Sequence, residues 1–443
     1  MFSKFFYTLP ISIQRTLGWR IRALKYQSLV SEEEKSFRQF NSLDLNAQKD
    51  FIFKKTKKIV LYAQTHNNFY KRFYKESQFD GRNLKNFEDL HRIPIVSKAL
   101  LRERKSEWLK GNKNSIPDNT GGTSGSTLSF FIDKKQLAKE KFYIEKIFSL
   151  INCRPKNTRI VFRGSNVLKD EYCGYDPKSD SYLMNTYKGF EGMEDQLNEI
   201  FSKRDISFIH GYPSAIYQFT KHLQKTKNAK LVEIVQKKIK GILYGSEYPA
   251  PTYRESIENF FNVPSISWYG HSEKVILASE VPNQPYIYRP FHTYGWVENV
   301  KNEQGSHSLI GTNYHNLDSP FIRYDSGDLI SPVEKEEGIL RSFKISEGRI
   351  GEFIYDKFKN PISLTALIFG RHHDAFNEVD FVQIHQEKIG YATLFITFSG
   401  KEQIKDINLK FDLSNVDIIF DFKIIKKPYR TNLGKVPLLI LKR

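Results

Sequence analysis

The sequence predicts a mixed fold, with a large α/β portion followed by a smaller α+β portion at the C-terminus. Between residues 130 and 330, short apolar runs alternate with polar turns and helical patterns, as they do in α/β proteins. After residue 280 the pattern becomes mainly that of β-strands. Beyond Gly348 and Arg349 a second, smaller set of strand and helix patterns begins, so we place a boundary between residues 346 and 355.

Two domains follow from these changes of pattern. The larger one is predicted to cover residues 1–347, with a helical N-terminal extension over 1–90, and the smaller one to cover 348–443. A chain of 443 residues exceeds what one ordinary core accommodates, which favours this division. Within the extension, Ser31-Glu32-Glu33-Glu34 resembles a capped helix start, and residues 46–70 have helical periodicity.

Four apolar runs in the larger portion are predicted to be buried strands. They are Arg159–Phe162, Ile206–His210, Lys240–Tyr244 and Ile266–Tyr269. The last three end in polar turns that are expected to lead into helices, namely Gly211–Ser214, Gly245–Glu247 and Gly270–Glu273. Ligands of open α/β sheets bind outside the carboxyl ends of the strands, so these turns are candidate binding positions.

The charge balance is strongly basic, with 68 Lys and Arg against 50 Asp and Glu and a net charge of +18. Nucleic acid, an anionic membrane surface and acidic small substrates are the partners that such a balance admits. The cations are spread along the chain, without zinc-finger spacing or an aromatic RNA-binding signature, so we expect no specific nucleic-acid partner. Cys153 and Cys173 are too few for a disulfide framework or a zinc site, which favours a reducing cytoplasm.

No apolar run approaches the 18 residues of a membrane span, and the first ten residues lack the features of a signal peptide. Residues 11–26 form a basic amphipathic pattern, with four cations among apolar residues. This pattern suits a helix lying on a membrane surface, but it is more typical of an ordinary helix that packs its apolar side on the protein. We therefore expect a cytoplasmic protein, with the inner face of the membrane as the alternative location.

The residues Thr120–Thr127 consist only of Gly, Ser and Thr. Glycine lets the backbone approach a ligand closely, and hydroxyl and N–H groups are the donors that a phosphate requires. A flexible surface loop has the same composition.

Further motifs downstream favour the phosphate-binding interpretation. In chain order, the six motifs are Thr123-Ser124-Gly125-Ser126-Thr127, Gly245-Ser246-Glu247, Trp268-Tyr269-Gly270-His271-Ser272-Glu273, Ile322-Arg323-Tyr324-Asp325-Ser326-Gly327-Asp328, Gly348-Arg349-Ile350-Gly351-Glu352 and Gly434-Lys435.

This ordered set resembles the adenylate-forming superfamily of acyl-CoA synthetases, peptide-synthetase adenylation domains and luciferases. The phenylacetate–CoA ligase/CapK-like branch is the most similar, over roughly residues 90–440. The resemblance implies a large N-terminal domain of layered sheets and helices and a small mobile C-terminal domain. The sequence departs from the family pattern at Leu128-Ser129, which replace a Gly-x-Pro, and it has no Lys in the phosphate loop.

The resemblance also implies the role of each motif. Residues Thr123, Ser124, Gly125, Ser126 and Thr127 would hold phosphates, and Gly245, Ser246 and Glu247 would face the adenine edge. Tyr269 would offer a flat face to adenine next to Gly270, Ser272 would contact the α-phosphate, and Glu273 would hold Mg²⁺. Asp328 would bind the ribose hydroxyls, Arg349 the ribose or phosphate, and Lys435 would be the catalytic lysine. His210, Tyr212 and His271 are candidates for the acyl pocket.

The implied reaction joins a carboxylic acid to ATP as an acyl-adenylate and then passes the acyl group to an acceptor. ATP and Mg²⁺ would be the cofactors, and CoA or an amine, including an amino sugar, would be the acceptor. The CapK-like branch suggests a role in capsule or other surface-polysaccharide biosynthesis. Two other functions stay open, a catalytically degenerate nucleotide-binding scaffold and a membrane-surface assembly protein that uses residues 11–26.

Overall fold

The fold was obtained as a computed structural model. It describes residues 9–112, 115–119, 128–163, 172–177, 179–185, 190, 192–302, 305–347, 353–359, 361–364, 367–368, 373, 375, 379–398, 406, 410–413, 416–430 and 436–440.

Within the described ranges, helices alternate with strands in the middle of the chain. The α-helices are α1 (Ile11–Ser42), α2 (Leu45–His66), α3 (Asn68–Glu76), α4 (Lys98–Glu103), α5 (Lys105–Trp108), α6 (Lys134–Ser149), α7 (Glu194–Lys203), α8 (Pro213–Lys225), α9 (Ala229–Lys238) and α10 (Pro251–Phe261). Short 3-10 helices cover Gly81–Asn83 and Glu88–Arg92.

The strands fall into parallel and antiparallel groups. They are β1 (Ser115–Asn119), β2 (Ser129–Asp133), β3 (Thr158–Arg163), β4 (Cys173–Asp176), β5 (Ser181–Asn185), β6 (Ile206–Gly211), β7 (Gly241–Tyr244), β8 (Ser265–Gly270), β9 (Leu277–Val281), β10 (Gln284–Pro290), β11 (Gly295–Lys301), β12 (His307–Asn313), β13 (Tyr324–Glu336), β14 (Ile339–Glu347), β15 (Phe353–Tyr355), β16 (Pro361–Ser363), β17 (Val379–Lys388), β18 (Tyr391–Phe398) and β19 (Ile419–Ile424). The four predicted strands are confirmed as β3, β6, β7 and β8.

The chain divides into two units. Unit 1 comprises Met1–Leu24, Phe148–Ser267 and Glu352–Arg443, and unit 2 comprises Lys25–Ile147 and Trp268–Gly351. The chain therefore changes unit at residues 351 and 352, inside the boundary region predicted from the sequence. The separate domain over 348–443 stays a prediction, because this division places that segment together with residues 148–267.

In unit 1 the strands β5, β3, β6, β7 and the first half of β8 run parallel in that order, and β4 pairs antiparallel with β5. Side chains of β3 to β7 and of α7 to α10 form one apolar core. The predicted helix after the Gly211–Ser214 turn is confirmed as α8, and the one after Gly245–Glu247 as α10. Proline at the first position of each helix suits a residue whose missing N–H would have no helical partner.

In unit 2 the end of β8 pairs with β9, and antiparallel strands continue through β10, β14, β13 and β12 to β11. The helix predicted after Gly270–Glu273 is therefore wrong. Residues 271–276 make a tight turn instead, in which Lys274 has a positive φ of 54°. Val275 and Ile276 are then buried in the core beside β12, and β9 begins at the next residue, Leu277. This leaves no room for a helix after Glu273.

The N-terminal helices are part of the core of unit 2. Ile52, Val60 and Tyr70, from α2 and α3, lie in the same cluster as residues of the antiparallel sheet. The capped start predicted at Ser31 is wrong, because α1 continues without a break through that position. Glu33 is buried there and pairs with Lys139 of α6 at 2.7 Å, a tertiary contact that the local pattern does not reveal. Among the described helices, none is both long and apolar enough for a membrane span.

The C-terminal segment of unit 1 has a small core of its own, formed mainly by residues of β15 to β19. β17 and β18 are antiparallel, and β18 and β19 are parallel. The strands predicted near 352–355 and at Tyr391–Phe398 are confirmed as β15 and β18. The helix predicted over 402–411 falls mostly outside the described residues.

Candidate active site

A buried carboxylate, Glu273, lies in the turn between β8 and β9 and is held by two neighbours. The hydroxyl group of Tyr324 donates a hydrogen bond to Oε1 of Glu273 over 3.0 Å. Nδ1 of His271 lies 3.1 Å from Oε2 of the same carboxylate. A carboxylate can only accept, so Nδ1 of His271 carries the proton in this contact. Both oxygens are thereby oriented while only 7% of Glu273 is exposed.

A second buried carboxylate, Asp328, is paired with the tyrosine that ends β8. The hydroxyl group of Tyr269 donates a hydrogen bond to Oδ2 of Asp328, which is 4% exposed. The ring of Tyr269 meets the ring of His271 edge to face, with centroids 6.1 Å apart. The structure thus brings together four of the predicted site residues, Tyr269, His271, Glu273 and Asp328, within unit 2. Gly270 and the half-buried Ser272 belong to the same turn.

A bend within β13 presents Asp328. The hydroxyl group of Ser326 donates to the carbonyl of Leu309 over 2.8 Å and accepts from the backbone N–H of Asp328 over 3.2 Å. Gly327 has a φ of 78°, which glycine adopts without strain, and its N–H donates to Asp325. Burial and the neighbouring Asp328 carboxylate raise the pKa of Asp325 above its ordinary value. The Ser-Gly-Asp sequence is therefore a structural device that fixes one carboxylate.

Arg323, the second residue of this motif, has a structural role that the sequence does not reveal. Its guanidinium group makes a buried two-bond pair with Glu298, at 2.6 and 3.1 Å. It also donates to the backbone carbonyls of His91 and Ile93, at 2.7 and 2.5 Å. Arg323 thus ties β11 and the segment that precedes α4 to the start of β13, directly beside Tyr324.

Further contacts anchor the turn that carries Glu273. Lys274 pairs with Glu140 of α6 at 2.5 Å, and its carbonyl accepts from Gln136 over 3.1 Å and from the side-chain amide of Asn313. Tyr324 is the site residue that motif matching left without a role. Its signal in the sequence was its place next to Arg323 within the motif, but only the folded chain shows that its hydroxyl group reaches Glu273.

In unit 1, two of the predicted binding turns lie side by side. The N–H of Gly245 donates to the carbonyl of Gly211 over 3.0 Å. The carboxylate of Glu247 accepts from the backbone N–H of Ser214 over 3.2 Å, at the N-terminus of α8. A carboxylate is stabilised there by the unpaired N–H groups of the first helical turn. Ser246 lies between them with a φ of 68°.

The two candidates for the acyl pocket in this unit, His210 and Tyr212, are both buried. The ring of His210 meets that of Phe148 edge to face, with centroids 5.3 Å apart. Tyr212 donates its N–H to the carbonyl of Phe162 over 3.1 Å, and its own carbonyl accepts from Ala215 and Ile216 at the start of α8. These contacts hold the backbone of the turn, and the assignment to an acyl pocket stays a prediction.

The other predicted site residues, Thr123–Thr127, Arg349 and Lys435, lie outside the described residues. The strands on either side of the first group are described. β1 and β2 are antiparallel, and Asn119 pairs with Ser129 at the end of the ladder. Leu128, one of the two residues that depart from the family pattern, is fully buried in the core of unit 2. A side chain that supports the core explains why an apolar residue is tolerated at this position.

The donor set suits Mg²⁺ that arrives with a nucleotide. Within the described ranges, no group of three or more His, Cys, Asp or Glu side chains could hold a metal. Glu273 offers hard carboxylate oxygens that are already oriented. Proteins typically bind Mg²⁺ at nucleotide sites through one or two carboxylates, with phosphate oxygens and water completing the shell. The oriented carboxylate of Glu273 therefore fits the donor chemistry of such a Mg²⁺ site.

No known protein family matches the sequence, and no curated protein matches it. Solved structures match it over most of its length. One is 2-hydroxyisobutyryl-CoA ligase in the postadenylation state in complex with R3-HIB-AMP, at 15% identity and a TM-score of 0.62, with 91% of each chain covered. Another is an acyl acid amido synthetase in complex with 2,4-DB, at 10% identity and a TM-score of 0.59, with 92% of this chain and 94% of that chain covered. The mixed α/β and α+β class predicted from the sequence is thus confirmed, and the protein shares its fold with these two solved ligases.

Proposed function

We propose that this protein uses ATP to activate a carboxylic acid as an acyl-adenylate and then transfers the acyl group to CoA or an amine. The observation that carries the proposal is the pair of buried carboxylates, Glu273 and Asp328, each oriented by a tyrosine hydroxyl group. Burying carboxylates is costly, and a protein that only needed a stable core would place apolar groups there. Their chemistry fits two requirements of a bound nucleotide. A carboxylate can hold a cation near the phosphates, and a carboxylate can accept hydrogen bonds from the ribose hydroxyl groups.

In the first half-reaction, a carboxylate oxygen of the acid attacks the α-phosphorus of ATP. The bond between the α-phosphorus and the bridging oxygen breaks, and pyrophosphate leaves with both electrons of that bond. Asp328 would accept hydrogen bonds from the ribose, and Glu273 would hold Mg²⁺, which neutralises phosphate charge when bound. Lys435 would donate to the carboxylate and the α-phosphate as charge moves between them.

In the second half-reaction, a thiol or an amine attacks the acyl carbon and AMP leaves, while the nucleophile gives up one proton. The fold supports both kinds of acceptor, since the solved structures that share it include a CoA ligase and an amido synthetase. An amino sugar is the amine acceptor that a role in capsule or surface-polysaccharide biosynthesis would require. A mass-spectrometric comparison of products formed with CoA and with amino sugars decides between these acceptors.

The test of adenylation is a pyrophosphate-release screen with MgATP over carboxylic acids, including uronic acids, amino acids and 2-hydroxyisobutyrate. We expect at least one acid to give release that is lost in Lys435→Ala. A protein that binds ATP and gives no Lys435-dependent release with any acid is a degenerate nucleotide-binding scaffold, and the proposal is then wrong.

Peripheral membrane contact through residues 11–26 is a separate proposal. On the described side chains of α1, the apolar residues Ile13 and Leu17 are 44% and 40% exposed. Exposed apolar side chains near cations are what a helix on an anionic membrane surface requires. Flotation with vesicles of phosphatidylglycerol and phosphatidylcholine should show association that Ile13→Ser/Leu17→Ser removes, and unchanged association would exclude this contact.

A further inference from the structure

The turn that carries Glu273 passes through a left-handed residue, Lys274, whose φ is 54°. Residues with a Cβ rarely adopt this conformation, and it persists where the surrounding structure holds it. The N–H of Lys274 donates to the carbonyl of His271 over 3.0 Å, which closes the turn around Glu273. The position of the Glu273 carboxylate therefore depends on the groups that hold Lys274 in place.

Lys274 is held by contacts from α6 and from the end of β12. Its carbonyl accepts from the side-chain amide of Gln136 on α6 over 3.1 Å and from that of Asn313, the last residue of β12. Its ammonium group pairs with Glu140, also on α6, at 2.5 Å. Asn313 thus supplies the contact from the antiparallel sheet, and α6 supplies the other two.

Asn313 is fixed by contacts that do not involve the turn. The residue is fully buried, and its N–H donates to the carbonyl of Phe321 over 2.9 Å. Its Oδ1 accepts from the N–H groups of His315 and Asn316 over 2.6 and 2.9 Å. Because two backbone donors hold the carbonyl of this amide, its NH₂ group is the part that is directed to Lys274. Asn313 is therefore a fixed point to which the turn is attached.

We propose that Asn313 is a positioning residue for Glu273, a role that rests on the proposed function of that carboxylate as a ligand of Mg²⁺. Glu273 and Lys274 are adjacent, so a shift of the Lys274 carbonyl moves the neighbouring carboxylate. Mg²⁺ demands near-ideal octahedral geometry, and the loss of a group that orients a metal ligand typically costs about 10- to 100-fold in metal affinity or activity. Asn313 acts through the geometry of the turn and touches neither metal nor nucleotide.

The chain offers a matched control in the same unit, Asn67. This buried amide donates to the distant carbonyl of Trp108 over 2.9 Å, and its Oδ1 accepts from the N–H of Tyr70, three residues further on, over 3.3 Å. Trp108 belongs to α5, which carries no residue of the proposed site. A serine at either position can still accept from the nearby backbone N–H groups, but it is too short to reach the distant carbonyl. Asn67→Ser and Asn313→Ser therefore remove the same kind of contact.

The binding test compares the ATP affinity of the purified full chain in saturating Mg²⁺ with its affinity in EDTA, without an acid, so that no acyl-adenylate forms. Asn313→Ser should reduce the gain in affinity that Mg²⁺ gives by about 10-fold or more, and should leave the affinity in EDTA within about threefold of the wild type. In the Glu273→Gln background the same substitution should change the gain by less than about threefold, because its effect passes through Glu273. Asn67→Ser should leave the gain unchanged. Equal reductions of the gain in both backgrounds, or an equal loss of affinity with Mg²⁺ and with EDTA, would overturn the positioning role.

Hydrogen exchange measures the turn itself and does not depend on ligand binding. Exchange over residues 271–276 should be faster in Asn313→Ser and unchanged in Asn67→Ser. Asn313→Asp, which keeps the shape and the acceptor and loses the donor, should loosen the same residues if the serine variant folds poorly. Unchanged exchange over 271–276 in both Asn313 variants would refute the positioning role. Loosened exchange in a chain whose ATP affinity responds neither to Mg²⁺ nor to Glu273→Gln would instead show that the proposed function of Glu273 had failed, and with it the role of Asn313 in metal binding.

Discussion

Two tyrosine hydroxyl groups define the site at the scale of single residues. Tyr269 and Tyr324 are both buried and each donates to one carboxylate, Asp328 and Glu273 respectively. A hydroxyl group donates to each of these carboxylates, whereas Glu298 is paired with the guanidinium group of Arg323. Each of the two carboxylates is thereby held in a defined orientation.

The first prediction concerns these carboxylates. Glu273→Gln and Asp328→Asn should each lower the rate of acid-dependent pyrophosphate release by about 100- to 1,000-fold, because each removes the charge and keeps the shape. Glu334→Gln, at an exposed position of the same strand β13, is the control and should retain the wild-type rate. Wild-type rates in both site variants, with unchanged folding by circular dichroism, would remove these residues from the proposed mechanism.

The second prediction concerns pH and a buried histidine. Burial lowers the pKa of His292 to about 4, and its Nε2–H donates to the carbonyl of Leu340 over 2.9 Å. An unfolded histidine, with a pKa of about 6.5, binds a proton below that pH while folded His292 does not. The unfolded state is therefore favoured as pH falls from about 6.5 towards 4, by about 2 kcal/mol between pH 7 and pH 5.

His292→Gln keeps a donor for Leu340 and removes the titration. Thermal unfolding at pH 7 and pH 5 should show a smaller loss of stability in this variant than in the wild type. His315 will still contribute, since burial and Lys139 lower its pKa to about 3. An identical pH dependence in both proteins would mean that His292 is not buried and neutral in solution.

At the scale of elements, the carboxyl ends of β6 and β7 are shaped by close backbone contacts. Gly211 ends β6, and an added Cβ there would lie 2.3 Å from the carbonyl oxygen of Phe162 on β3. Backbone cannot move away as the end of a flexible side chain can, because both strands are inside the sheet. The same glycine carbonyl receives the N–H of Gly245, so both turns depend on this close approach.

The third prediction is that Gly211→Ala destabilises the protein by more than about 2 kcal/mol and disorders the turns at 211–214 and 245–247. Urea unfolding measures the loss of stability, and hydrogen exchange locates it. Gly270→Ala is the comparison, since its Cβ would lie 3.2 Å from the end of the flexible Leu277 side chain and 3.7 Å, an ordinary contact distance, from the nearest backbone oxygen. Equal stabilities for the two alanine variants would show that the backbone of β3 at Phe162 moves far enough to accommodate the added Cβ.

At the scale of the whole molecule, the C-terminal segment combines a core of its own with apolar contacts to the rest of unit 1. Phe381 of β17 meets Tyr217 of α8 and Tyr253 of α10 edge to face, with centroids 6.4 and 5.8 Å apart. Tyr217 and Tyr253 stack on each other at 4.7 Å. Burial raises the pKa of both hydroxyl groups above the ordinary value. This aromatic trio joins β17 to α8 and α10.

The fourth prediction follows from that trio. Phe381→Ala should destabilise the folded protein by about 3 kcal/mol, as truncation of a buried aromatic does, and should increase hydrogen exchange in α8 and α10. The small core between Ile354 and Leu439 should keep its protection, because its apolar residues are mostly distinct from the trio. Tyr391→Ala on the adjacent strand, at an exposed position, should cost less than about 1 kcal/mol. Loss of protection throughout 354–439 would show that the two cores fold as one.

How far the sequence could predict the fold depended on whether a pattern was local. The runs that became β3, β6, β7 and β8 are short, apolar and bounded by polar turns, and these signals do not depend on distant residues. The two wrong predictions, a helix start at Ser31 and a helix after Glu273, occur where contacts with distant residues decide the structure. Glu33 is buried through Lys139, and Val275 and Ile276 through β12, so tertiary packing overrode the local pattern at both places.

The sequence by itself determined the fold class, the order of the motifs and the residue types of the site. Glycine turns, apolar runs and acidic residues can be recognised from their positions in the chain alone. Only the tertiary structure decided which groups meet. Residues as far apart as Tyr269 and Asp328, or Gln383 and Tyr429, become hydrogen-bonded pairs through strand pairing and the turns between strands. The physical reason is that orientation, burial and the sharing of a proton are properties of atoms in space, and no local pattern along the chain encodes them.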